Sequence, residues 1–238
     1  MTDNTKNTKA KQRRSATMEE PPKTYLPAAG EDWLLPLYDP VLKLLGSESY
    51  YRQLVDQAVL RPGHRVLEIG CGTGNVTILI ERLHPDVEVV GLDPDPKALA
   101  RAWRKAEREA LSMQLDRGFA EELPYPDASF DRVFSAFMFH HLGPDEKEKT
   151  LREARRVLKP GGSVHLVDFG GAKGWSGGFV ASLVHRSEHL RDNFGNRIPI
   201  LMREVGFVDP REVAHRVTIL GRFTYYRATV PGVESGVT

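Results

Sequence analysis

The stretch Val66-Leu67-Glu68-Ile69-Gly70-Cys71-Gly72-Thr73-Gly74 decides the fold. Val66 to Ile69 read as a short buried strand, and three glycines alternate directly after it. Asn75 then opens a helical pattern through Val76, Leu79, Ile80 and Leu83. A strand that breaks into a glycine turn and then a helix lets a ligand approach bare backbone. Main-chain groups near the helix N-terminus hold it there. The spacing is Gly-x-Gly-x-Gly and not the Gly-x-Gly-x-x-Gly of dinucleotide sites, which disfavours a nicotinamide dehydrogenase.

Working outward, the pattern alternates. Strand 64–70 leads to helix 75–83, and strand 87–92 ends at Asp93. A helix follows from Pro96 to about Leu111, then a short strand over 113–119. After a loop through Pro124, Pro126 and Asp127 come strand 130–137, a charged helix 144–157, the breaker Lys159-Pro160-Gly161-Gly162, and strand 163–169. Phe179, Val180, Leu183 and Val184 give a further helical pattern, and a helix over about 198–205 ends at Gly206. The stretches 208–219 and 222–230, joined at Gly221, predict an antiparallel hairpin closing the sheet edge. Alternating strands and helices with short turns predict an α/β fold, a doubly wound, mostly parallel sheet. Ligands in such sheets bind beyond the carboxyl ends of the strands.

Upstream, residues 1–20 carry Lys6, Lys9, Lys11, Arg13 and Arg14, and too little apolar surface to offset their ordering entropy. They read as a disordered, solvated basic tail, with a basic arm for RNA or a targeting sequence as the sharper alternative. Residues 21–60 read as a helical cap of short segments interrupted at Pro27, Pro36, Pro40 and Gly46. This cap either covers a sheet face or lies over the site as a lid, with Trp33 and Tyr38 facing a substrate. Residues 61–230 form the ligand-binding domain. The formal net charge is +1, so nothing global argues for nucleic acid or an anionic membrane. Cys71 is the single cysteine, which excludes an intrachain disulfide and disfavours a cysteine metal site. No apolar run approaches the about 18 residues of a membrane span, and residues 1–20 lack the apolar centre of a secretory leader. The expectation is a soluble, cytoplasmic protein.

Asp93 stands about twenty residues after the glycine loop, where a carboxylate accepts hydrogen bonds from a ribose diol. Asp93-Pro94-Asp95-Pro96 also starts a helix, and Asp95 suits the cap better, which leaves Asp93 for the ribose. The series VLEIGCGTG, GLDPDPKALARA, GFAEELPYPDASFDRVFSAFMFHHL and RVLKPGGSVHLVDFG resembles the class I S-adenosylmethionine-dependent methyltransferases, across about residues 60–170. Within them it is similar to the small-molecule branch that includes ubiquinone and menaquinone methyltransferases.

The resemblance implies a Rossmann-like sheet of seven strands with an antiparallel final strand and S-adenosylmethionine as cofactor. It sets Glu68, Gly70, Cys71, Gly72 and Gly74 around the methionyl and central parts, and Asp93 with Pro94 at the ribose. Phe119, Ala120 and Glu121 border the adenine, and Ser135 and Ala136 lie near the sulfonium. Relatives often carry an acidic residue at the position of Phe119. Phe119 cannot accept a hydrogen bond from the adenine amino group, so stacking and backbone groups would hold the base.

The implied reaction is an in-line displacement at a sulfonium methyl, in which the protein aligns the nucleophile and excludes water. No metal is required, and a base is needed only for a protonated nucleophile. His140 and His141, after the fourth strand, are candidates for that base, and a structural role in fixing the loop is the competing reading. His185 and His189 share a helix face but lack the neighbours of a metal site. Phe137, Met138 and Phe139, with Trp175, Phe179, Trp33 and Tyr38, suit an apolar or aromatic small-molecule acceptor, and core packing is the competing reading for alternate members of Phe137–Phe139. Ser135-Ala136-Phe137-Met138-Phe139 lacks the Asn/Asp-Pro-Pro-aromatic motif of relatives that methylate amino groups of nucleic acids or proteins. The expected activity is therefore C-, O- or S-methylation of a small molecule. An RNA or protein methyltransferase guided by the basic tail, and a non-catalytic cofactor-binding module, stand as alternatives; the oligomeric state stays open.

Overall fold

The structure, a computed structural model, describes residues 47–170, 197–218 and 221–232. The basic tail, most of the cap with Trp33 and Tyr38, and the segment holding Trp175, Phe179, His185 and His189 lie outside the described residues. The described chain runs α1 (Ser47–Asp56), β1 (Arg65–Ile69), α2 (Asn75–Leu83), β2 (Glu88–Asp93), α3 (Pro96–Arg108) and β3 (Gln114–Arg117). It continues through β4 (Phe130–Ala136), α4 (Pro144–Val157), β5 (Leu158–Phe169), α5 (Arg197–Glu204), β6 (Val208–Thr218) and β7 (Gly221–Thr229).

The strands form one seven-stranded sheet in the order β3-β2-β1-β4-β5-β7-β6. β3, β2, β1, β4 and β5 pair in parallel, whereas β7 is antiparallel to both β5 and β6. The expected hairpin is therefore present, with its second strand inserted beside β5 and its first strand, β6, at the edge. Successive strand residues point to opposite faces, and this alternation sorts the core. Val66, Val89 and Tyr225 enter one cluster with Leu54 of α1 and Val76 and Ile80 of α2. Their neighbours Leu67, Val90 and Tyr226 enter the other, with Leu151 and Ala154 of α4 and Met202 of α5. Burial on both faces explains why these strands read as apolar runs.

Three boundaries differ from expectation. α3 ends at Arg108 because Ala110 turns into the left-handed region (φ 51°) and Leu111 N–H bonds back to Ala106 O at 3.0 Å. That geometry usually carries a glycine, and none marks it here. β3 begins at Gln114, since Met113 packs against Ile78 and Ala106. The Lys159–Gly162 breaker is absorbed inside β5 as a bulge. Phe130 pairs with Leu158 and Arg132 already with Ser163, while Gly161 N–H and Gly162 O bond Val230.

Candidate active site

The carboxyl ends of β1, β2 and β4 open on a cavity of about 600 Å³. It lies where the chain order reverses across β1, the place a doubly wound sheet reserves for a ligand. One end is made by the glycine loop. Gly70 (φ 72°) and Cys71 both donate their N–H groups to Leu92 O, at 2.8 and 3.0 Å, which pins the loop to β2. A Cβ on Gly70 would come within 2.8 Å of Met138 Cβ, so a side chain there would collide with the segment following β4. Gly74 (φ 78°) caps α2 and would meet Ala102 of α3.

Two carboxylates line this end. Glu68, almost fully buried, accepts the N–H of Thr77 at 2.8 Å and its hydroxyl through the same oxygen. Burial pushes its carboxyl up to about 8 against the pull of the Thr77 bonds. Asp93 closes β2. Its Oδ2 accepts Gly72 N–H at 2.8 Å and its Oδ1 accepts Asp95 N–H at 2.9 Å. Burial raises this carboxyl too, opposed by those two N–H groups. Asp95 caps α3 by accepting Lys97 N–H at 2.8 Å, so Asp93 is left to the cavity wall. The tie from Asp93 to Gly72 was not foreseen from sequence. Buried Cys71 is held as the thiol by desolvation and the neighbouring carboxylates.

The other end is apolar. Phe137, in the left-handed region at φ 53°, donates its N–H to Val167 O at 2.9 Å. Its ring meets those of Phe223 at 4.8 Å, Phe169 at 5.8 Å and Tyr51 at 6.2 Å, all edge-on. That packing holds an unfavourable backbone state beside the cavity. Phe139–His141 then form one 3-10 turn. His140 is bound on two sides by Asp168, which is fully buried on β5. The backbone N–H donates to Oδ2 at 3.1 Å and ring Nδ1 lies 2.7 Å from Oδ1. The His141 ring lies against His140 with centroids 4.0 Å apart and planes tilted by 40°, and is itself on the cavity wall.

The cavity thus separates the two histidines that imidazole chemistry alone leaves equivalent: His141 faces it, and His140 does not line it. Glu68, Gly70, Cys71, Gly72, Asp93 and Pro94 line it, as do Phe119, Ala120, Glu121, Ala136 and Phe137. Gly74 and Ser135 do not. Gly74 serves as the α2 cap, and Ser135 points to the opposite face of β4 from Ala136, its buried hydroxyl without a hydrogen-bond partner among the described residues. Met138 lines the cavity beside Phe137, whereas Phe139 is buried in the core. Sequence reasoning missed Tyr51, Leu142, Glu146 and Lys149 on the wall. Only the helical periodicity of α1 and α4 could have brought up Tyr51, Glu146 and Lys149, and periodicity does not say which turn faces a ligand.

The donor set fits an adenosyl sulfonium cofactor. Left-handed glycines leave space beside bare backbone, one carboxylate at the end of β2 suits a diol, and a second buried carboxylate suits a cationic amine. Residues 66–162 match the family model described as a methyltransferase domain. The demethylmenaquinone methyltransferase of Deinococcus radiodurans is 33% identical over 211 residues, covering 84% of this chain and 86% of that protein. The chain belongs to the class I S-adenosylmethionine-dependent methyltransferases. This methyltransferase is also similar to the 27-O-demethylrifamycin SV methyltransferase of Amycolatopsis mediterranei. That match is 40% identical over 119 residues, covering 49% of this chain and 43% of that protein. Its fold is shared with phosphoethanolamine N-methyltransferase 2 of Haemonchus contortus, solved with S-adenosylmethionine. The TM-score is 0.66 at 18% identity, over 77% of this chain and 52% of that one. Among the described residues no helix is long and apolar enough to cross a membrane.

Proposed function

We propose that this methyltransferase methylates a small apolar or aromatic molecule at C, O or S, with His141 as the base for an acceptor that arrives protonated. The observation that carries this reading is the division of one cavity. Backbone and two carboxylates form one end; Phe137, Met138, Leu142 and His141 form the other. The glycine loop and Glu68 would hold the methionyl part, Asp93 the ribose, and Phe119 with Ala120 the adenine. When bound, S-adenosylmethionine supplies an electrophilic methyl whose leaving group is a neutral thioether.

Every other requirement falls on the chain. Phe137 and Tyr51, packed edge to face against each other on the cavity wall, exclude water from the acceptor side. His141 takes the acceptor's proton on a ring nitrogen. The buried Asp168 carboxylate accepts a hydrogen bond from His140 Nδ1–H and so fixes that ring's tautomer and plane, against which the His141 ring leans. His140 and Asp168 are then positioning residues. The names of the relatives, which act on demethylmenaquinone and on a demethylrifamycin, make phenolic and quinol-type acceptors the first to supply.

The test uses purified protein with methyl-labelled S-adenosylmethionine and a cell lysate, then with demethylmenaquinol. Label in the solvent extract supports the reading and yields a product to identify. Label confined to acid-precipitable material overturns it in favour of a macromolecular acceptor. With an active acceptor in hand, His141→Gln should cut kcat by roughly 10²–10⁴-fold and flatten the acid limb of the pH profile. His140→Gln should cost less. Equal, small losses in both would remove His141 from base chemistry.

A further inference from the structure

The outward face of α3 carries a feature that neither the fold nor the cavity uses. Its sequence, PKALARAWRKAER, holds five basic residues against one acidic residue, in a chain whose net charge is only +1. Ala98, Leu99, Ala102 and Ala106 face the core. Lys97, Arg101, Arg104 and Arg108, spaced four, three and four residues apart, form a single stripe on the opposite side. Trp103 lies between this stripe and the core face, one turn before Glu107, and is 45% exposed. Arg117, at the end of neighbouring β3, extends the charge. Lys105 alone turns inward, to Asn75 Oδ1 at 2.8 Å.

Helix stability does not account for the stripe. Basic residues in the last turn, such as Arg108, favour the helix dipole, but Lys97 in the first turn opposes it. α4 shows what a self-satisfied surface helix does in this protein. There Arg152 pairs with Glu148, and Arg156 pairs with Glu153 and Asp127. Among the described residues, Arg101, Arg104 and Arg108 make no ion pair with a carboxylate; Arg104 donates to Ala100 O of its own helix. A segregated cationic stripe on the same helix as a half-exposed indole matches an interface that is anionic at its surface and less polar just beneath.

We propose that the α3 face docks this methyltransferase on an anionic phospholipid bilayer, with Lys97, Arg101, Arg104 and Arg108 against the headgroups and Trp103 at headgroup depth. Trp103 favours a bilayer over a nucleic acid because a single indole with a polar tip suits that boundary. The inference stands on α3 alone and goes beyond the reading of the cavity; an apolar acceptor dissolved in the bilayer would give docking a purpose.

The test is sedimentation of the full chain with vesicles of phosphatidylcholine alone, or mixed equally with phosphatidylglycerol, at low and high salt. Partitioning to the mixed vesicles only, lost at high salt, is expected. Each basic residue near an anionic surface is worth about fivefold in partitioning, so Arg101→Glu/Arg104→Glu should lose more than ~25-fold, and Trp103→Ala roughly tenfold. Both variants should bind S-adenosylhomocysteine as the parent does, which verifies the fold and separates failure here from failure of the cavity reading. Binding to neither vesicle, equal binding to both, or undiminished binding by the double variant overturns the proposal. Retention on RNA with no affinity for the mixed vesicles overturns it too, and reassigns the face to a nucleic acid.

Discussion

At the glycine end of the cavity, nearly every polar contact is made to main chain and within a short span of sequence. Gly70, Cys71 and Gly72 are tied to β2 through Leu92 O and Asp93, and Glu68 is tied to Thr77 nine residues on. At the apolar end the wall is collected from α1, the segment after β4 and α4, and it is held by ring contacts and one buried carboxylate. The first end is pre-organised by backbone, so most side-chain changes elsewhere leave it alone. The second end is walled mostly by side chains, so it can be re-specified without disturbing the glycine loop. A shared fold carrying different acceptors is the consequence.

The sharpest way to break this contrast is Gly70→Ala, which strikes the one place where the two ends touch. A left-handed backbone costs about 1–2 kcal/mol for a residue with a Cβ, and overpacking against Met138 about 1–3 kcal/mol more. Cofactor affinity by calorimetry should fall more than ~30-fold. Adding Met138→Gly, which removes both the Cγ and the Cβ that the new methyl meets, should recover the steric part but not the backbone part. Full recovery would show that the loop conformation is not required.

Asp93→Ala should weaken S-adenosylhomocysteine about 10- to 150-fold, the worth of charged hydrogen bonds at roughly 1.5–3 kcal/mol, while freeing Gly72 N–H. Unchanged affinity would sink the ribose assignment. The smallest effect is one of pH. Glu68 carries its proton up to about 8 in the ligand-free protein, facing Asp93, Lys105 and the Thr77 donors. A cationic ligand favours its ionised form, so S-adenosylmethionine affinity should rise with pH up to about 8, at most tenfold per unit. Below that pH binding should release a proton, read from calorimetry in buffers of different ionisation enthalpy. Glu68→Gln should flatten the profile. The same raised carboxyl makes the ligand-free fold lose stability as pH climbs from the ordinary 4.5 toward about 8, because the unfolded chain ionises first.

How much of this was legible follows the same division. β1, the glycine loop and α2 were readable because strand, turn and helix follow one another in sequence, each with its own local pattern. Asp95 as cap and Asp93 as wall residue were readable because a proline at the first helical position fixes where α3 starts. The end of α3 was not, since Ala110 adopts a glycine's conformation without being one. Nor was the bulge in β5, where pairing with Val230 holds a Pro-Gly-Gly turn inside a strand.

By itself the sequence determined the class of fold and the position of the glycine loop, because each rests on neighbouring residues whose patterning is local; the methyl donor followed from the resemblance that those motifs carry. Only tertiary structure decided which of His140 and His141 meets the cavity, that Asp168 grips the former, and that Tyr51, Glu146 and Lys149 share a wall with Phe137. Those pairings join residues far apart in the chain. They depend on strand register and helix rotation, which no stretch of sequence states alone.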